Sequence, residues 1–413
     1  MKYIINDQVV LSGAPEGPLV DHLGSFTEWV SEQGYAASSL WQRVHLAACF
    51  SKWLAERDVD LRGISSEHPA LYLRYRGRRL RPTRSDVAAL RHLLEFLRHE
   101  SLIPAAKEPS CRITPVERCL HEYERYLRQE RALANATIPN YLRFIQSFLS
   151  DRCFIKGGVR LGRLRAHDIV SFVECEAPHL SLKRAKLLTT ALRSFLQYAR
   201  YRGDIRLDLA AAVPTVANWS MTSIPRAIPP DQVHQLLASI NRRSAIGRRD
   251  YAILLLLARL GLRSSEVLLL ELDDIDWQAG RFSVRGKGGK RTELPLPNDV
   301  GKAIAEYLQY GRPPSANRRV FLRGKAPIRG FLGQSAISSL VRNSLKRAGI
   351  SAPTNGAHQF RHALATQMLR HGASLTEIGE LLGHRRPQTT KIYAKVDQDA
   401  LRLLALPWPG GVQ

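Results

Sequence analysis

The sequence predicts a mainly α protein: helical N-terminal domains followed by a mixed, mostly α domain with a small antiparallel β-sheet. Three observations carry this. Before about residue 215, apolar residues recur at helical spacing and strand patterns are scarce. Between 281 and 297, "RFSVRGKGGKRTELPLP" alternates on both sides of a Gly-Lys-Gly-Gly-Lys turn, a hairpin signal. Helical patterns resume after it. With 413 residues, 44% hydrophobic and 24% charged, the chain can fill two or three domains with real cores, which excludes a disordered class.

The elements follow in order. "LWQRVHLAACFSKWL" (40–54), "VAALRHLLEFL" (87–97), "YLRFIQSFL" (141–149) and "LLTTALRSFLQYA" (187–199) each carry an apolar stripe. "SLWQRVHLAACF" (39–50) lies over "TIPNYLRFIQSF" (137–148) at an offset of 98, and "LRHLLEFLRHESLI" (90–103) over "LRSFLQYARYRGDI" (192–205) at an offset of 102. The offsets suggest one helical unit present twice; chance likeness between amphipathic helices is the other account. "PAAKEPSCRITP" (104–115) has linker composition, and "VPTVANWSMTSIPRAIPPDQV" (213–233), with four prolines, marks a second break. Asp231, after Pro229 and Pro230, is the expected cap of the next helix. "YAILLLLARLGL" (251–262) is too short to span a bilayer and contains Arg259, so it reads as a buried helix. The breaks divide the chain into 1–105, 106–213, a linker 214–232, and 233–413.

A formal net charge of +24 and a pI near 10.3 point to a polyanionic partner, nucleic acid ahead of a membrane surface. "YLRYRGRRLRPTR" (72–84) interleaves aromatics with Arg74, Arg76, Arg78, Arg79, Arg81 and Arg84, which fits phosphate contact on DNA or a solvated face. The N-terminus has neither the apolar core nor the cleavage pattern of a signal peptide, so a cytosolic protein is expected. The five cysteines, Cys49, Cys111, Cys119, Cys153 and Cys175, form no C-x-x-C pair, and are expected to be small core residues rather than disulfides or zinc ligands.

The densest chemistry lies in 358–396, where four histidines and six arginines or lysines surround Tyr393. His358 and Arg361 share a helix face, where an arginine fork fits two phosphate oxygens and a histidine donates a hydrogen bond or moves a proton. Taken alone, the pair is weak evidence, and a solvated helix face is the better account. His358 and His362 have zinc spacing, but "HQFRH" puts an arginine where a metalloprotease has glutamate, and no metal is expected. A tyrosine nucleophile needs neighbours that take its proton or stabilise the phenolate, and phosphoryl transfer needs cations around the phosphorus. Tyr393 has that setting; packing on a C-terminal helix is the plainer account. Upstream, Gly261 breaks an apolar helix before Arg263, which Glu266 can orient. Lys287, at the hairpin tip, can act on phosphate or protonate a leaving group.

From about 225 to 405 the chain resembles the tyrosine recombinase (phage integrase) family, which includes lambda integrase, Cre and the Xer recombinases: "GLRSSEV", "GKGGKR", "HQFRHALAT" and "LLGHRRPQTTKIYAKV" keep its order and spacing. The resemblance implies that Arg263 and Arg361 are the paired arginines on the scissile phosphate and that Lys287 protonates the leaving 5′ oxygen, with Lys290 its close competitor. It makes His358 the acid/base partner, His384 the second-motif histidine on the phosphate, and Tyr393 the nucleophile. It further implies a site-specific recombinase acting through a 3′-phosphotyrosine, for integration, excision or transposition of a mobile element, with no metal, ATP or other cofactor. Residues 106–213 then resemble the core-binding domain, 233–413 the catalytic domain, and 1–105 an extra DNA-binding or assembly domain of longer mobile-element members. The implied partners are double-stranded DNA, a homo-tetramer on two sites, and companion recombinases or DNA-bending proteins. The implied location is the cytoplasm, nucleoid-associated when bound. The apolar stretch Leu401 to Leu406 would dock on a neighbouring subunit. A type IB topoisomerase shares the chemistry, and a non-catalytic DNA-binding accessory protein shares the charge.

Overall fold

A computed structural model describes residues 3–5, 8–11, 14–104, 114–155, 158–216, 227–286, 291–352, 354, 356–384 and 387–396. The chain forms two compact units, one of residues 108–222 and one combining 1–107 with 223–413.

The N-terminal module opens with an antiparallel ribbon, β1 (Tyr3–Ile5) and β2 (Gln8–Leu11). Four helices follow: α1 (Leu23–Glu32), α2 (Ala37–Ala55), α3 (His68–Arg76) and α4 (Arg84–His99). A capping box starts α4: Asp86 N–H donates to Thr83 Oγ1 at 3.2 Å, and Thr83 N–H donates to the Asp86 carboxylate at 2.8 Å. The apolar stripe of α4 then packs on α2, burying Phe26, Val44, Phe50, Leu93 and Leu97 in one core.

Residues 108–222 repeat this plan with α5 (Pro115–Gln129), α6 (Ile138–Phe148), α7 (Ala166–Glu176) and α8 (Leu182–Tyr201). Thr114 and Glu117 cap α5, and Pro115 takes its first position, where a missing N–H costs nothing. α6 packs on α8 as α2 packs on α4. The core holds Tyr123, Phe148, Phe172 and Phe195, and the buried Tyr123 hydroxyl donates to Ser194 Oγ at 3.0 Å. A ribbon of β3 (Phe154–Ile155) and β4 (Gly158–Val159) interrupts the helices.

The C-terminal region centres on α10 (Ala245–Leu260), preceded by α9 (Pro230–Ala238). Ala252 to Leu257 are buried all round, so α10 must be covered on every side. α11 (Ser264–Leu269) leads to the sheet of β5 (Ile275–Asp276), β6 (Arg281–Arg285) and β7 (Arg291–Pro295), antiparallel in that order. Phe282 faces Leu294 across it. α12 (Asn298–Tyr310) and α14 (His358–Arg370) pack on α10, while α13 (Gln334–Arg347) packs on α11. α15 (Leu375–Leu381), the short α16 (Pro387–Thr390) and a 3₁₀ turn (Lys391–Val396) close the described chain.

The N-terminal module meets this region at the turn of Gln33 and Gly34. Ile328 N–H donates to the Gln33 carbonyl at 2.8 Å. Gly34, at φ +76°, lies so close that a Cβ there would stand 2.5 Å from Ile328 Cγ1. The same segment touches the start of α10, where the Arg249 guanidinium donates to the Leu322 carbonyl at 3.0 Å and lies over Phe331.

Two short ribbons lie among the helices before residue 215, in keeping with the scarce strand patterns there. Other expectations need correction. The helix after the prolines begins at Pro230, so Asp231 lies in its first turn rather than at the cap. Of the cysteines, Cys153 is buried, Cys49 and Cys119 are half-buried, and Cys175 is exposed on the outer side of α7. Cys111, most of 104–115, the middle of 213–233 and all of 401–406 lie outside the described residues. No helix among the described residues is long and apolar enough to cross a membrane.

Candidate active site

Gly261 ends α10 in the left-handed conformation at φ +59°, where a Cβ would come within 2.9 Å of Leu382 and 3.1 Å of Leu364. The chain can therefore turn tightly under the α14 to α15 region. Two residues later, Arg263 precedes α11. Its backbone N–H and its guanidinium both donate to the Glu266 carboxylate, at 2.8 and 2.7 Å, and Nη2 reaches the Gly383 carbonyl at 3.4 Å. Glu266 is 4% exposed, so the carboxylate fixes the arginine from below.

Arg361, one turn into α14, is 4% exposed and donates to the Gly261 carbonyl at 2.8 Å and to the Leu382 carbonyl. It thus ties together the ends of α10, α14 and α15. Burial, and then the neighbouring Arg263 charge, push its guanidinium down to about 10, so it remains charged at neutral pH.

Tyr393 lies in the 3₁₀ turn, 1% exposed, in a small core with Ala365, Ile378 and Leu382. Its hydroxyl is 3.0 Å from His362 Nδ1. Burial raises the phenol's pKa, and Arg361 and Arg263 oppose that shift. His384 follows Gly383, whose φ of +58° makes the turn after α15, and its N–H donates to the Gly379 carbonyl at 2.8 Å. Its Nδ1 is 2.8 Å from Thr390 Oγ1, and its ring is parallel to Tyr393 at 6.5 Å. Burial, then Arg361, Arg263 and His362, push it down to about 4, so it is neutral at pH 7.

His358 is the first residue of α14 and exposed, its ring 6.3 Å from that of His362. The buried Arg361 and exposed His358 therefore differ in surroundings although they share a helix face. Arg263, Arg361, His384 and Lys391 line a cavity of 1160 Å³, together with Gly286 and Thr292 from the base of the hairpin. Lys287 and Lys290, between β6 and β7 in sequence, lie outside the described residues. The structure thus gathers Arg263, Arg361, His384 and Tyr393, with His358 one helical turn from His362. Sequence reasoning weighed His362 only as a metal ligand. Its position four residues after His358 and next to Arg361 was the available signal.

In the N-terminal module, Arg74, Arg78, Arg79, Arg81 and Arg84 are exposed, whereas Arg76 is half-buried and paired with Asp86 at 3.5 Å. Arg76 thus serves the module's own packing.

The sequence matches the profile of the phage integrase family over residues 226–399 and that of the phage integrase N-terminal SAM-like domain over 120–203. Putative integrase/recombinase y4rA of Sinorhizobium fredii (strain NBRC 101917 / NGR234) is 58% identical over 413 residues, covering 100% of each chain. Tyrosine recombinase XerD of Mycobacterium tuberculosis (strain ATCC 25618 / H37Rv) is 32% identical over 302 residues, covering 68% of this chain and 94% of XerD. Among solved structures, XerH site-specific recombinase bound to palindromic difH substrate superposes with a TM-score of 0.56 at 21% identity, covering 71% of this chain and 96% of XerH. A lambda integrase dimer bound to a COC′ core site gives 0.51 at 17% identity, covering 67% and 94%. The mainly α fold, its small antiparallel sheet and these matches lead to one conclusion: the chain belongs to the phage integrase family of tyrosine recombinases.

Proposed function

We propose that this tyrosine recombinase cleaves and rejoins double-stranded DNA at specific sites, with Tyr393 as nucleophile. The Tyr393 oxygen attacks a backbone phosphate, forming a 3′-phosphotyrosine and releasing a 5′-hydroxyl. A 5′-hydroxyl from the partner strand reverses the step. Arg263 and Arg361 hold the non-bridging oxygens as negative charge builds on them. His384 donates a further hydrogen bond to the phosphate, His358 assists proton movement at the exposed rim, and Lys287 protonates the leaving oxygen, with Lys290 second in line. The observation that carries this reading is that two arginines lining one cavity, Arg263 and Arg361, both act electrostatically on the buried Tyr393.

In this reading residues 106–213 are the core-binding domain, 233–413 the catalytic domain, and 1–105 an additional DNA-binding module; separate apolar cores in each region support the division. The protein works as a tetramer on two sites, aided by companion recombinases or bending proteins where the site requires them. A cavity of 740 Å³, whose lining combines Val233 and Leu237 of α9, Leu255 of α10 and Leu364 and Met368 of α14 with Arg242, Arg259 and Asp299, offers an apolar wall to the tail of a neighbouring subunit. The matched relatives are integrases and recombinases, which favours neither relaxation by a type IB topoisomerase nor an accessory protein. The test is a nicked suicide substrate that traps the covalent intermediate. The wild-type chain gives a protein–DNA adduct, and Tyr393→Phe gives none while binding DNA nearly as well. An adduct formed by Tyr393→Phe rejects the assignment.

A further inference from the structure

The phenol of Tyr393 must lose a proton during attack, and its surroundings narrow the choice of acceptor. Bulk water is largely excluded at 1% exposure. Arg263 and Arg361 are cations with no lone pair to offer. His384 stacks its ring on that of Tyr393 and turns Nδ1 to Thr390, and a base held near 4 takes a proton from a phenol poorly. His358 lies one turn further along α14, exposed, its ring against that of His362 rather than Tyr393. His362 is different: half-buried, with Nδ1 3.0 Å from Tyr393 Oη and the ring centroids 5.7 Å apart. That separation is within reach for direct proton transfer before the substrate arrives.

We infer that His362 is a further catalytic residue, the general base for Tyr393 in strand cleavage and the acid that returns the proton in strand joining. As the Oη–P bond forms, the phenolic proton passes to His362 Nδ1. The P–O5′ bond breaks, and the 5′ oxygen takes its proton from the separate general acid assigned to Lys287. In joining, the incoming 5′-hydroxyl gives its proton to the lysine, the Oη–P bond breaks, and His362 protonates the departing phenolate. Each step conserves protons and requires no other reactant. Arg361 and Arg263 both act on the neighbouring Tyr393, so the imidazolium forms in a site that already holds two cations. The phosphate dianion-like transition state offsets that repulsion.

This inference rests on the nucleophile assignment above, and its test separates the two. The full chain is assayed for single-turnover cleavage on nicked substrates with either a 5′-bridging oxygen or a 5′-bridging sulfur, whose thiolate leaves without a proton. His362→Asn retains a hydrogen-bond acceptor near Nδ1 but removes the base. It is expected to slow cleavage by about 100-fold or more, the usual range for a general base, on both substrates, with DNA binding unchanged. Lys287→Ala, by contrast, should recover on the sulfur substrate. In wild type the rate should rise with pH as the base loses its proton. In His362→Asn that rise should move to the alkaline range, where the phenol ionises by itself. His358, His384, Arg263 and Arg361 remain in both chains, so the difference reports His362. As a second arm that needs no His362 variant, 3-fluorotyrosine at position 393, a more acidic phenol, should leave the pH at which the rate rises unchanged in the otherwise wild-type chain, because that rise belongs to the base. A rate for His362→Asn within about threefold of wild type, or its recovery on the sulfur substrate, overturns the inference. A rise displaced to lower pH by fluorotyrosine, as for a phenol that ionises by itself, overturns it too. Cleavage by Tyr393→Phe overturns the underlying nucleophile assignment instead.

Discussion

Replacing Arg361 with lysine should damage two properties that can be measured separately. The arginine is almost fully buried and spans the Gly261 and Leu382 carbonyls with two nitrogens of one planar group. A lysine has one ammonium on a flexible stem, so at least one of those buried carbonyls loses its partner, at a cost of about 1–3 kcal/mol in stability. The second loss is at the phosphate. Removing one pre-organised donor from a transition state typically slows reaction about 100-fold or more, about 2.7 kcal/mol. Urea unfolding reports the first loss. Single-turnover adduct formation at saturating DNA, at a temperature where both chains are folded, reports the second. An Arg361→Lys chain that is destabilised yet cleaves within about threefold of wild type, less than about 0.7 kcal/mol, would show a purely architectural residue and refute the phosphate role.

Other predictions follow from neighbouring features. Gly261→Ala should destabilise the chain by about 2–4 kcal/mol, combining left-handed strain with overpacking against Leu382 and Leu364; a urea midpoint like that of wild type contradicts this. Because burial holds His384 well below its ordinary value, the unfolded chain binds more protons between about 6.5 and about 4. Its contribution to stability is therefore complete above that window and is lost as pH falls through it. A phosphate beside His384 favours the charged form, so DNA binding near pH 5.5 should take up protons. Calorimetry in two buffers should find that uptake reduced in His384→Asn; equal uptake places His384 away from the phosphate. If the exposed arginines Arg74, Arg78, Arg79, Arg81 and Arg84 touch DNA, replacing them with glutamine should lower the slope of log K against log salt by up to about 4.5, at about 0.9 per contact. An unchanged slope on a single site, with reduced cooperativity between sites, would assign the module to assembly.

The helices were legible because each had to bury one stripe: 40–54 falls within α2, 87–97 within α4 and 187–199 within α8. The three-stranded sheet was half legible, since the alternation on either side of the glycine turn became β6 and β7, while the two-residue β5 is too short to show a period. Arg263 and Glu266 are three residues apart, so their pairing could be read from local spacing. The contact between His362 and Tyr393 could not, because they lie 31 residues apart with α15 and α16 between them. Nor could Arg76 be distinguished from the other arginines of its run; only the position of Asp86 on α4 shows that its charge is already paired within the module.

The turn at Gln33 and Gly34 has a consequence for any DNA contact that the N-terminal module makes. Because that turn is seated on Ile328, beside the first residues of α10, the N-terminal module is not a tethered arm that searches freely. α10 has 16 residues, about 24 Å of buried, stiff helix, and its other end carries the Gly261 carbonyl that Arg361 grips. If the arginines of 74–84 touch DNA, this arrangement works as a ruler: their contact should lie at one constant offset from the cut phosphate at every site. Deleting residues 1–105 would remove the ruler's far mark and also bare Ile328, two changes in one, whereas the glutamine substitutions leave the ruler intact and erase only the mark.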